Sequence, residues 1–110
     1  MVKKRVPKKI IRIVQNYSRR LAKQDKLPIE KVIIFGSYAK GKSYKWSDID
    51  VCIISPKFKD TFEALQFLWT RRNKQEAMIG LEPVGFSGKD FREGSSLIQE
   101  IKKSGIAIKK

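Results

Sequence analysis

The stretch GSYAKGKSYKWSDID, residues 36 to 50, satisfies two phosphate-binding patterns at once, and the choice between them decides the fold. Gly36, Gly41, Lys42 and Ser43 spell G-x-x-x-x-G-K-S, the P-loop pattern. Gly36, Ser37, Asp48 and Asp50 spell a Gly-Ser pair followed by D-x-D. A P-loop sets its Lys and Ser at the start of a helix whose free amides face the phosphates. Only Tyr44, Lys45 and Trp46 separate Ser43 from Ser47 and Asp48, where the next strand begins, so no helix fits. A P-loop fold also carries its metal-binding Asp at the end of a later apolar strand, whereas here the acidic pair precedes the apolar run. The P-loop match is a coincidence of spelling.

The second pattern fits without strain. KVIIF, residues 31 to 35, is a β-branched run ending at Gly36 and reads as a buried strand. DIDVCIIS, residues 48 to 55, is a second strand stopped by Pro56. Gly36 ends the first strand without a side chain, so backbone there can approach a phosphate closely. Ser37 can donate its hydroxyl, and SYAK is long enough for one helical turn whose free amides point the same way. Asp48 and Asp50 lie two apart on a strand, hence on one face, with Cα atoms roughly 6.5–7 Å apart. Carboxylates so placed can converge on Mg²⁺, and a divalent pair about 3.5–4 Å apart would bridge triphosphate oxygens and an attacking hydroxyl. Lys40, Lys42 and Lys45 stand where they can pull on a triphosphate or serve as plain surface lysines.

Elsewhere the periodicities are simpler. Ile10, Ile11, Ile13, Val14, Tyr17 and Leu21 recur at helical spacing over roughly residues 7 to 24, and Leu27-Pro28 closes that helix. Phe62, Leu65, Phe67, Leu68 and Trp69 predict a helix running to about Gln75 or Ala77. MIGLEPVGF, residues 78 to 86, is a third strand, in which Pro83 lacks an amide donor and argues for an edge position or a bulge. Leu97, Ile98 and Ile101 predict a last short helix ended by Gly105, and IAIKK reads either as a frayed tail or as a strand given to a partner. The order is α-β-β-α-β-α in one α+β domain over residues 1–110.

A composition 41% hydrophobic and 33% charged is that of a folded, soluble chain. No apolar run reaches a membrane span, the basic start lacks a signal peptide's apolar segment, and a single Cys52 permits no internal disulfide, so a cytoplasmic location is expected. With no histidine, catalysis must rest on carboxylates, lysines, hydroxyls and oxygen-loving metals. The net charge of +14 reads as a solvated face or as attraction for an acidic protein or nucleic acid. Cys52 reads as a small core side chain, Ser47 as a structural hydroxyl beside Asp48, and Trp46 as a loop aromatic folded onto the core or stacked on a base.

GSYAKGKSYKWSDIDV resembles the signature of the polymerase-beta-type nucleotidyltransferase superfamily. The chain's size, GSYAKG and SDIDV are most similar to its minimal nucleotidyltransferases, small single-domain members often paired with a helical HEPN partner. The motif covers residues 35 to 51, and a weaker likeness runs through the ending EPVGFSGKDF and LIQEIKKSGIAI. The resemblance implies a small mixed β-sheet flanked by helices and transfer of a nucleoside monophosphate, AMP from ATP, to a hydroxyl. Gly36 and Ser37 would hold the triphosphate, with Lys40 and Lys42 beside it, and Asp48 and Asp50 would carry two Mg²⁺ ions.

The family adds a third carboxylate from the strand after the next helix. Here that is Glu82, an acid among Ile79, Leu81 and Val84 that would be costly without a metal or donor nearby. It would bind the catalytic metal and accept the acceptor hydroxyl's proton. Many members have Asp at this place. Asp90 and Glu93 read as charges of a loop-like surface region and a helix N-terminus. The function expected is that of an antitoxin-like enzyme in a two-protein toxin-antitoxin system, modifying a hydroxyl on a small helical HEPN-like partner. A second reading is a basic binding module, weak or inactive in catalysis, that masks an acidic protein or RNA. Self-association is not legible.

Overall fold

The structure, a computed structural model, describes residues 6–44 and 47–109; Lys45 and Trp46, and with Trp46 both of its readings, lie outside them. Helix α1 (Lys8–Gln24) buries Ile10, Val14, Tyr17 and Leu21 on one stripe. It ends where Lys26 takes a left-handed φ of 56° and the Leu27 amide donates back to the Leu21 carbonyl at 3.2 Å. Strand β1 (Lys31–Phe35) runs into the single turn α2 (Ser37–Lys40), the SYAK turn expected from the sequence, and the chain returns as β2 (Ile49–Ile54).

The long helix expected after Pro56 is two. Helix α3 (Thr61–Thr70) is capped by Asp60, and α4 (Lys74–Met78) starts at Asn73 with a reciprocal capping box to Glu76. The join, residues 70–76, is polar throughout, and Asn73 and Glu76 satisfy each other's amides there and so start a new helix. Strand β3 (Leu81–Phe86) is correspondingly shorter than MIGLEPVGF, since Met78 and Ile79 belong to the end of α4. The loop-like region holding Asp90 is helix α5 (Gly88–Glu93), capped by Ser87, and α6 (Ser96–Ser104) follows. Gly105 ends α6, though not in a left-handed turn; a Cβ there would lie 2.6 Å from Ile33 Cγ2. The IAIKK tail is neither frayed nor free, for Ile106–Ile108 is strand β4, paired antiparallel with β1.

The sheet has four strands in the order β3-β2-β1-β4, with β1 antiparallel to β2 and β4 and β2 parallel to β3. It is thus the mixed sheet expected. Alternation sends Ile49, Val51 and Ile53 with Val32 and Ile34 into the core under α1 and α3. It sends Cys52 and Ile54 with Ile33, Phe35 and Phe86 to the opposite face, under Ile98 and Ile101 of α6. Tyr17, fully buried, donates its hydroxyl to the Leu68 carbonyl at 2.6 Å and ties α1 to α3. No helix among the described residues is long and apolar enough to cross a membrane.

Pro83 does sit on an edge strand. Trp69 Nε1 donates to the Pro83 carbonyl at 2.9 Å, and Arg72, stacked 3.9 Å over the Trp69 ring, donates to the Leu81 carbonyl at 3.1 Å. These side chains occupy acceptors that an open edge would offer to another strand. Trp69→Phe removes one of those bonds, with an expected destabilisation of about 1 kcal/mol by urea denaturation.

Candidate active site

The site is built where β1 ends, β2 begins and β3 begins. Gly36 has φ 76° and ψ −149°, a conformation essentially closed to residues with a side chain, and it turns the chain from β1 into α2. A Cβ on Gly36 would collide with Asp50 Oδ2, so the carboxylate packs directly on the glycine. Asp50 is registered against Phe35 on one side and Glu82 on the other. Lateral neighbours in a sheet share a face, so Asp50 and Glu82 stand side by side, with Asp48 two residues earlier on the same parity. Gly80, at φ 87°, leaves room for Asp48: a Cβ there would lie 3.0 Å from Asp48 Oδ1. The Ile49 amide donates to the Gly80 carbonyl at 2.8 Å and locks this corner.

Two of the three carboxylates are shifted by their surroundings. Burial first, then the charges of Glu82 and Asp48, push the Asp50 carboxyl up to about 6. Glu82 is raised by burial, by the Asp48 charge and by a hydrogen bond shared with Asp48, while Arg72 opposes the shift. None of the three has a salt bridge among the described residues. Nor do three such side chains there already close into a metal cage; the arrangement is an open row of oxygens with uncompensated charge. An all-oxygen donor set suits a hard divalent cation such as Mg²⁺, and the row lacks one partner that a cation would supply. Cys52 takes no part, being fully buried with its thiol pushed up to about 12 by burial.

The other residues singled out in the sequence fall differently. Ser37 is half-buried at the start of α2 and its hydroxyl has no partner among the described residues. Lys40 Nζ is paired with Glu100 of α6 at 2.6 Å, a contact across sixty residues that the sequence did not show. Lys42 is exposed and unpaired among the described residues, its amide held by the Ser37 carbonyl at 2.9 Å. Ser47 Oγ accepts the Tyr44 amide at 2.9 Å and shapes the loop before Asp48. Two neighbours of the acidic row are not picked out by sequence reasoning. Gly80 had a signal, a glycine interrupting an apolar run; Arg72 had none. Gly41, with φ 72°, ends α2, and among the described residues between Gly41 and β2 there is no helix, as the rejection of a P-loop requires.

Comparison with known proteins agrees with this geometry. No protein of curated function matches the chain in sequence. Among solved structures, a Sulfolobus solfataricus protein assigned as a nucleotidyltransferase superposes with a TM-score of 0.65 at 16% identity, covering 90% of this chain and 78% of that one. A toxin-antitoxin structure with AMP-PNP gives 0.54 at 21% identity, with 84% and 70% covered. A substituted form of the MntA-HpeT toxin-antitoxin gives 0.53 at 21% identity, with 86% and 71% covered. At such identities these likenesses speak for the fold alone. The family comparison goes further, because the nucleotidyltransferase domain matches residues 8–107, from the first turn of α1 into β4. The chain therefore belongs to the nucleotidyltransferase domain family and is an enzyme of that class.

Proposed function

We propose that the chain transfers AMP from ATP to a hydroxyl on a partner macromolecule, as the antitoxin-like member of a two-protein toxin-antitoxin pair. The observation that carries this reading is the register that sets Asp50 beside Glu82 while its carboxylate packs on Gly36. The glycine corner that would bind phosphate and the acidic row thereby adjoin. Asp48, Asp50 and Glu82 would hold Mg²⁺, which when bound supplies positive charge against the transferring phosphoryl group and the attacking oxygen.

The chain's own residues supply the rest. The turn at Gly36 sets beside the acidic row the first amides of α2, which have no intrahelical acceptor and would meet phosphate oxygens, and Ser37 adds its free hydroxyl. Lys42 reaches the triphosphate from the following loop. The acceptor oxygen attacks the α-phosphorus; the new P–O bond forms as the bond to the β-phosphate bridge breaks, and pyrophosphate leaves. Glu82, its carboxyl raised above the usual range, takes the hydroxyl proton. The toxin-antitoxin assemblies among the structural neighbours, one of them with AMP-PNP, support a protein acceptor, which we take to be a small helical protein of the HEPN kind.

Lys40 joins the nucleotide site only by releasing Glu100. Glu100→Gln is accordingly expected to lower KM for ATP a few-fold with kcat unchanged, a contrast measurable by initial rates. The reading as a whole is tested by incubating the protein with α-labelled ATP, Mg²⁺ and a co-purified partner. Label is expected on the partner and absent with Asp48→Asn; a partner left unlabelled by the wild type would reject the proposal.

A further inference from the structure

Helix α1 carries Lys8, Lys9, Arg12, Arg19, Arg20 and Lys23 and no acidic residue. Arg20 is bonded to Glu76, but the other five are exposed and have no ion pair among the described residues. At 3.6 residues per turn those five fall within an arc of about 100°, opposite the buried stripe, along a helix about 25 Å long. The stripe lies behind the acidic row: α1 packs against Ile49 and Val51, and the aspartates project from the other face of β2. Beside it a groove of about 460 Å³ opens between α1 and α4, lined by Lys9, Arg12, Asn16 and Gln75 among others. The amides of Asn16 and Gln75 are exposed and have no hydrogen bond among the described residues.

From this we infer that the outer face of α1 and its groove with α4 form a binding site for double-helical RNA, separate from the proposed transfer. A protein partner is the poorer fit. Protein interfaces centre on buried apolar anchors and are depleted in lysine at their core; of the large exposed apolar side chains, Tyr44, Phe62, Trp69 and Leu97 lie off both helices and Met78 lies at the end of α4. Single-stranded nucleic acid is held largely by stacking on aromatic side chains, of which this face has none exposed. What remains is a line of cations, interrupted at Gln15 and Asn16, suited to a phosphate backbone, with two free amides to meet 2′-hydroxyls.

The test is fluorescence anisotropy of the full chain with a blunt RNA duplex of about 20 base pairs, over a salt series without nucleotide. Binding should be micromolar near 0.1 M salt, with log K falling against log salt at a slope near −4.5, about −0.9 for each phosphate contact. R12Q and R19Q should each reduce the steepness by about 1, and R12Q/R19Q/K23Q by about 3 with at least about 10-fold weaker binding. Because these side chains are exposed, the thermal melts of the variants should match the wild type. Asp48→Asn should bind RNA as the wild type does, so a failed labelling experiment leaves this result untouched. A slope unchanged in the triple variant would overturn the inference. So would a DNA duplex of the same sequence bound as tightly as RNA, or polyglutamate competing as well as unlabelled RNA.

Discussion

Asp50→Asn is expected to make the metal-free protein more stable at neutral pH and nearly inactive. The folded-state carboxyl titrates at about 6 against an ordinary 3.8. A raised value means the fold prefers the protonated acid. Below pH 4 both states hold the proton and the residue does no harm; as pH rises towards 6 the unfolded chain gives it up first, and the fold loses stability. Above that window the penalty is complete. A difference of that size between the folded and unfolded chains corresponds to roughly 3 kcal/mol, which partial exposure reduces to about 1–2 kcal/mol. A rise in Tm of about 5–10 °C at pH 7.5 should follow, shrinking towards zero at pH 4. Mg²⁺ should raise the wild-type Tm and leave the variant's almost unmoved. Transfer should fall by roughly 100-fold or more if Asp50 is, as proposed, a ligand to the cation. A variant that melts below the wild type at pH 7.5 would show that the row is already neutralised within the protein.

Gly36→Ala should injure both stability and catalysis. Its backbone angles cost a residue with a side chain about 1–3 kcal/mol, and the added methyl must push Asp50 out of its place against the turn. A Tm lower by about 10 °C and a rate lower by about 10- to 100-fold are expected. Gly80→Ala offers an internal comparison. Its φ of 87° carries a similar strain, but its Cβ would meet Asp48 Oδ1 at 3.0 Å, a contact that a small movement relieves. Melting should therefore fall in both variants, with turnover suffering more at Gly36. Equal turnover in the two would mean that the Asp50 position is not what the glycine protects.

The site was legible because its markers are local. Gly36 ends a β-branched run, and Asp48 and Asp50 open another, so the strand ends could be read directly. Glu82 was legible as the single acid in its apolar run. What the sequence hid depends on pairing at a distance. Three residues, Ile106 to Ile108, cannot announce whether they are a tail or a strand until β1 is placed beside them. The break between α3 and α4 falls in the polar run of residues 70–76, where no apolar period marks either a stop or a continuation, and the bonds between Asn73 and Glu76 decide it. Lys40 could be read as a triphosphate contact from its place beside Gly36 and Ser37, but its ion pair with Glu100, sixty residues on, could not be read at all.

The parallel pairing of β2 with β3 also dictates an order of assembly. β1 and β2 meet through a short connection, and with it the glycine corner and both aspartates can form early. Glu82 can arrive only after the whole crossover through α3 and α4 has closed, a longer loop with a larger entropic barrier. Partially folded chains would thus carry two acids of the three, and the acidic row is complete only once that crossover has closed.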